Sequence, residues 1–451
     1  MLKQILDRDF MLRHMKAFGT HLDRETELQK SGDREALNRA RQAGVTSDDM
    51  EQAKVDLNQA QNDPEASKIR EGQQVFLPSH PAASALQTAI QQQTLKMFKM
   101  RPSAGNLPTG DHLITDLSIP GVHDTDTLFE QFGPADVGWI SVGFALLVKL
   151  FRGKRKFNNN PAPPCRIGNA ARLILIADWG TGVPRARKLG QAARQYIEQA
   201  RQAGSGVHVI HLGDVYYSGF ATEYDDHFLP YWPLLPEEAG TFGSWSLNGN
   251  HDMYSGGHGY FDHLLADPRF ARQAQSSYFS LENDFWQILA LDTAYTAFDL
   301  EGEQAKWLLD SRRAQPGKQG ILLTHHQPFS GYEVVPDTIL NKLKPVLESN
   351  LILGWFWGHE HRCAFYEPQN DVQYGRCVGH GGVPVLAPSA PMPKGVQYEF
   401  GDWVLGTEPH FARFGFAVAD CANERMHVTY VMEDGTPHNE EDFISPGERV
   451  S

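Results

Sequence analysis

Five short apolar runs, each closing on a residue able to ligate a metal ion, constrain the fold of this chain more than any other feature. They end in Asp178 of IADWG, Asp214 of HLGDVYY, Asn250 of LNGNHD, His326 of LLTHHQP, and His359 and His361 of GHEH. In layered α/β proteins the carboxyl ends of strands and the loops leaving them form the usual ligand crevice, so residues this far apart in sequence can converge. Asp178 and Asp214 are 36 residues apart, as are Asp214 and Asn250, about one strand-helix-strand step. Strands are expected over 172–177, 206–212, 243–247, 285–291, 320–324 and 351–357. A helix is expected over 184–203, with Pro184 in its first turn, Gly204 as its stop and an apolar face of Leu189, Ala193, Tyr196 and Ala200. The run 414–432 reads as a hairpin.

The donors are carboxylate and amide oxygens and imidazole nitrogens, and no cysteine occurs in any motif. That set suits two adjacent hard or borderline cations and argues against iron–sulfur chemistry. One carboxylate can bridge two ions, and a metal pair roughly 3.5–4 Å apart can clamp a phosphoryl group. The glycines before Asp214, Asn250 and His359 suit loops whose backbone passes close to the ions.

These motifs resemble those of the calcineurin-like metallophosphoesterases (D-x-H, G-D, G-N-H-[DE], H-x-P, G-H-x-H) over about residues 170–365, in the family's order. Where the family's first motif has its second histidine, this chain has Gly180. The same change occurs in the purple acid phosphatase-like branch, where a tyrosine fills the vacancy. The resemblance therefore implies one metal held by Asp178, Asp214, Tyr217 and His361, and another held by Asp214, Asn250, His326 and His359. It implies Fe(III) at the Tyr217 site and Fe(II), Zn, Mn or another divalent ion at the second. The implied reaction is hydrolysis of a small phosphate ester, mono- or diester, by a metal-bound hydroxide. His251 would donate to the ester oxygen, and Asp252 would orient His251. His326 is preferred to His325 because it precedes Pro328 by two residues. His258 and His380, in glycine-rich loops, are candidate substrate contacts, whereas His211, His263 and His325 read as structural.

The implied fold is a four-layer α/β sandwich of two mixed β-sheets flanked by helices, with the metal site at one edge and a helical N-terminal extension. We expect residues 1–164 to be a mainly helical accessory region and linker, 165–440 the catalytic domain and 441–451 a tail. In the accessory region a helix should follow Ser47 as N-cap, and the Gly- and Pro-punctuated segment 102–120 should be linker. This region is a candidate for oligomerisation.

A net charge of −14 argues against nucleic-acid binding by bulk electrostatics. Four cysteines without CxxC spacing, and charged residues that interrupt any apolar signal near the amino terminus, lead us to expect a cytoplasmic protein. The most apolar run, Val137–Val148, is too short to span a bilayer. We read the stretch Val137–Phe151 as a core helix rather than a membrane-surface element. The chain has no nucleophile elbow and no P-loop, and Arg185 interrupts a dinucleotide fingerprint. Two other readings are a metal-bearing scaffold that binds a phosphorylated partner and a membrane-surface lipid phosphoesterase.

Overall fold

The structure, a computed structural model, describes residues 8–34, 36–38, 46–62, 78–89, 153–385, 387–388, 391–404 and 410–444. It divides into two compact units, one running to Lys154 and including Tyr254–Gly256, the other formed by the remainder from Arg155 onward.

The first unit is helical where described. Helices Arg8–Lys30 and Ser47–Asn62 pack on each other. The buried apolar residues are Met11, Met15, Phe18 and Leu22 on one, and Met50, Ala53, Leu57 and Ala60 on the other. Their alternating spacings of three and four produce a heptad-like seam. Lys54–Asp23 (2.7 Å) and Lys30–Glu51 (3.1 Å) bridge its rim. The second helix begins where expected but is capped by Thr46 instead of Ser47. Asp49 N donates to Thr46 Oγ1 at 3.1 Å, and Thr46 N donates to Asp49 Oδ2 at 2.7 Å, a reciprocal capping box that needs the carboxylate three residues on. Val137–Phe151 and the expected linker 102–120 lie outside the described residues. Among the described residues no helix is long and apolar enough to cross a membrane.

In the second unit the strands are β1 (Cys165–Arg166), β2 (Arg172–Ile176), β3 (Val207–His211), β4 (Gly243–Ser246), β5 (Phe279–Glu282), β6 (Trp286–Ala290) and β7 (Gln319–Thr324). They continue with β8 (Gly354–Trp357), β9 (Cys363–Tyr366), β10 (Tyr374–Val378), β11 (Val396–Glu399), β12 (Gly415–Ala422), β13 (Arg425–Met432) and β14 (Pro437–Phe443). One sheet has the order β1-β5-β6-β7-β8-β10-β9-β11 and the other β14-β13-β12-β2-β3-β4. Both are mixed: β2-β3-β4 and β6-β7-β8-β10 run parallel, and antiparallel strands flank them.

The period of two along each strand builds the layers. Leu173 and Leu175 of β2, Ile288 of β6, Ile321 and Leu323 of β7, and Phe356 of β8 join Ala417, Val428 and Phe443 in the core between the sheets. The alternate residues Leu289, Leu322, Trp355 and Trp357 join Leu308, Ile339, Leu343 and Leu347 of helices Gln304–Ala314 and Thr338–Leu347 on the outer face. Helix Pro184–Gln202 covers the second sheet. Leu189, Ala193 and Ala200 are buried as its periodicity predicts, and the buried pair Arg185–Glu433 (2.8 Å) fixes its first turn.

The six expected strands are all present, as is the hairpin β12–β13. Short or polar strands were not legible, and β14 (PHNEEDF) is one of them. It pairs with β13 along the sheet edge, and its last residue, Phe443, stacks on Tyr374 (ring centroids 4.1 Å) and Phe356 (5.4 Å). Residues 441–443 are therefore strand, and the expected tail boundary at 441 falls inside an element.

Candidate metal centre

The expected ligands other than Tyr217 each follow the carboxyl end of a strand: Asp178 after β2, Asp214 after β3, Asn250 after β4, His326 after β7, and His359 and His361 after β8; His325, read as structural, leaves β7 beside His326. The chain turns sharply at these points. Asp178 (φ 53°), Asp214 (φ 73°), His359 (φ 67°) and His361 (φ 53°) all adopt left-handed backbone. That conformation costs a non-glycine residue about 1–3 kcal/mol and clusters at functional sites. Glycine is needed beside them for space. A Cβ on Gly249 would overlap the Asp214 carboxylate, and one on Gly358 would lie 2.7 Å from Asp178 Oδ2.

Two groups of ligating atoms result. Those of Asp178, Asp214 and His361 lie within 4.8 Å of one another, as do those of His325, His326 and His359. In the first group the Tyr216 hydroxyl donates to Asp178 Oδ1 (3.1 Å) and Asp214 Oδ2 (3.2 Å) and lies 2.8 Å from His361 Nε2. The backbone N–H of His359 holds Asp178 Oδ2 at 2.8 Å, and that of His251 holds Asp214 Oδ1 at 2.8 Å. Burial raises the proton affinity of the Tyr216 phenol well above its ordinary value, and both carboxylates add to this. Burial opposes ionisation of Asp214 too, but His325, His251 and the hydrogen bonds outweigh it and hold the carboxyl far below its usual range.

His325 joins the two groups. Its Nδ1 donates to the Leu212 carbonyl at 2.9 Å, which aims Nε2 at Asn250 Oδ1 (3.1 Å), His359 Nδ1 (3.2 Å) and Asp214 Oδ2 (3.4 Å). Burial disfavours its charge, yet Asp214 and Asp178 raise its pKa to about 9. His326 is fixed from both ends by Thr293, whose Oγ1 accepts from His326 N at 3.0 Å and lies 3.2 Å from Nδ1. Its ring packs on Phe298 (4.1 Å) and His359 (4.6 Å).

The fold brings together Asp178, Asp214, Asn250, His326, His359 and His361, and adds two side chains that sequence reasoning placed elsewhere. The hydroxyl among the carboxylates belongs to Tyr216 instead of Tyr217. Tyr217 turns its backbone N–H to Glu223, and its buried phenol has its proton affinity raised by burial and by the Glu223 carboxylate. Motif spacing counts residues, whereas the side that a loop side chain faces depends on backbone torsions. His325, read as structural, sits at the junction. The usable signal was the doubled His325-His326 itself, which presents two imidazoles at one strand end.

His251 is held by its Nδ1, 2.5 Å from the Tyr217 carbonyl, and its ring lies against Tyr216 (4.5 Å). Asp252, expected to orient His251, gathers the surrounding loops. It accepts from Asp214 N (2.8 Å), Val215 N (3.2 Å), Gly249 N (2.7 Å) and the Tyr224 hydroxyl. Burial and the Asp214 charge raise its pKa to about 7 against these donors. Glu360, between His359 and His361, is buried and held by Trp357 Nε1 (3.0 Å), the Tyr366 hydroxyl (3.1 Å) and Ser330, a brace with no sequence signature.

The two candidate substrate histidines have other partners. His258 Nδ1 pairs with Asp262 (3.0 Å), which also takes Arg155 (2.7 Å). His380 is buried beside Phe400 and His438, because the chain after β10 turns its side chain inward.

The donor chemistry fits a metal pair. Asp178 and Asp214 are 0% and 1% exposed, and two buried carboxylates sharing one hydroxyl are costly without compensating positive charge. Every ligating atom in both groups is oxygen or nitrogen.

Residues 171–363 match the family described as calcineurin-like phosphoesterase. No curated protein matches the chain. Among solved structures, the chain is similar to GAP50, the anchor in the inner membrane complex of Plasmodium, at 12% identity and TM-score 0.47, over 61% of this chain and 88% of that one. Vps29 of Chaetomium thermophilum matches at 11% identity and TM-score 0.27, over 62% and 100% of the two chains. The 5'-nucleotidase of Candida albicans SC5314 matches at 12% identity and TM-score 0.31, over 50% and 48%.

Proposed function

We propose that the chain hydrolyses small phosphate esters at a dinuclear metal centre. Asp178, Asp214, Tyr216 and His361 hold one ion, and Asp214, Asn250, His326 and His359 hold the other, with His325 inserted between Asp214 and Asn250. The observation that carries this reading is the convergence of two ligand groups and Asn250 from the ends of five different strands, with Asp178, Asp214, His359 and His361 held in left-handed backbone. When bound, such a pair supplies Lewis acidity to a phosphoryl group and ionises water near neutral pH.

The chain's own residues do the rest. The N–H groups of His359 and His251 hold the two carboxylates in fixed rotamers. His251, whose Nδ1 lies against the Tyr217 carbonyl, gives a proton to the leaving oxygen in this reading. An intact His251 favours turnover over a scaffold that only binds. The hydroxyl between the carboxylates supports a phenolate ligand and hence Fe(III) in the first position, with Fe(II), Zn or Mn in the second. The four cysteines are free thiols, which supports a reducing compartment, the cytoplasm.

The test is metal content and turnover of an aryl phosphate for the full chain and for Asp214→Ala. The variant should lose both ions and lose activity by at least about 10³-fold, as expected when an interaction worth about 4 kcal/mol in the transition state is removed. Unchanged metal content or retained turnover in that variant sinks the reading.

A further inference from the structure

A third group of metal-binding side chains lies outside the centre just described. Cys363 begins β9 in the larger sheet, His438 lies on β14 in the smaller sheet, and His380 follows β10. One ligating atom from each falls within 4.8 Å of the others. Cys363 and His380 are 1% and 4% exposed. Nε2 of His438 and both ring nitrogens of His380 are buried without a hydrogen bond of ordinary geometry among the described residues, the His380 ring having only a weaker approach to the Val378 backbone. Buried polar atoms are satisfied in the great majority of cases, and each exception calls for an explanation such as an ion.

The surroundings are arranged as they are around ligating histidines. The Tyr398 hydroxyl lies 3.1 Å from His438 Nδ1 and so fixes which nitrogen turns inward, and the His438 ring stacks on Phe400 at 3.8 Å. An outer hydrogen bond on the far nitrogen is the usual companion of a metal-bound imidazole.

We propose that Cys363, His380 and His438 bind a single zinc-class ion that staples the two sheets together at this edge. One thiolate and two imidazoles form the donor set of tetrahedral zinc with a fourth position left over. It differs in kind from the sulfur-free dinuclear centre. Binding releases the Cys363 thiol proton to solvent and forms one metal–sulfur and two metal–nitrogen bonds, with no change of oxidation state. The proposal is independent of the hydrolytic reading.

Because only this group contains sulfur, cobalt(II) distinguishes it. The full chain, stripped with a chelator, is titrated with Co(II) while a near-ultraviolet thiolate-to-cobalt charge-transfer band is followed. At saturation the band should have the intensity of one thiolate–cobalt bond per chain, persist in Asp214→Asn and in Cys165→Ser, and vanish in Cys363→Ser. Should Cys363→Ser fail to fold, His438→Gln on the half-buried edge strand decides. It should alter the band and weaken at least tenfold the Zn(II) affinity read from displacement of that band. A folded wild-type chain without the band, a band surviving Cys363→Ser, or His438→Gln binding unchanged would each overturn the site.

Discussion

The two halves of the candidate centre are made of different materials. Around Asp178, Asp214 and His361 the fold concentrates negative charge and a phenol hydroxyl, whereas around Asn250, His325, His326 and His359 it offers an amide and imidazoles. They are also positioned differently. All three members of the first half sit in left-handed backbone, so strain sets their direction. In the second half only His359 does, and the other imidazoles are aimed by hydrogen bonds to Leu212 O and Thr293 Oγ1. Hard, highly charged ions suit the first environment and borderline divalent ions the second.

The largest expected effect tests whether the halves depend on each other. His325→Ala removes the side chain that touches Asp214, Asn250 and His359 together, and should lower turnover of an aryl phosphate by about 10²–10³-fold, the scale of losing one oriented donor. His326→Ala should do the same if His326 ligates. Full activity in either variant would show which of the neighbouring histidines is dispensable.

The next test sharpens the chemical difference. If the first half binds Fe(III), a phenolate-to-metal band in the visible spectrum should disappear in Tyr216→Phe and remain in Tyr217→Phe. The reverse pattern would return the ligand role to the motif's expected tyrosine.

Thr293→Val probes the hydrogen-bonded half. It leaves the ligands in place and unlocks His326, and should weaken binding of the second ion by about 10–100-fold, measured by isothermal titration. The first ion should be unaffected.

Asp252→Asn tests the support shared by both halves. Its carboxylate gathers three backbone N–H groups and a tyrosine hydroxyl, and the amide can accept at only one oxygen. The expected loss is about 1–3 kcal/mol of unfolding free energy, read from denaturant melts of the metal-free chain.

The last test concerns acid and three buried histidines. Burial lowers the pKa values of His208 and His227 to about 4 and of His211 to about 3. All three are depressed below the unfolded value near 6.5, so the stability they permit is complete above pH ~6.5 and is lost as pH falls towards about 4. Each contributes at most about 1.4 kcal/mol per pH unit in that window. The melting temperature of the metal-free chain should therefore drop between pH 6.5 and 5, and His208→Gln should flatten the slope.

The sequence determined that β2, β3, β4, β7 and β8 exist and that each ends in a polar donor. Apolar runs and their terminal Asp, Asn and His are local facts, and the buried parallel strands express them directly. The helix Pro184–Gln202 was equally legible, because its apolar period, first-turn proline and following glycine agree. Tertiary structure alone decided the remainder. β14 is too polar to read as a strand and gains its place by pairing with β13 and burying Phe443. Which of Tyr216 and Tyr217 faces Asp178 is set by loop torsions that spacing does not encode. The role of His325 depends on a carbonyl from β3's loop more than a hundred residues away, and the inward turn of His380 depends on a strand that follows it by more than fifty. A pattern along the chain fixes what each segment offers, while contacts between distant segments fix where each side chain points.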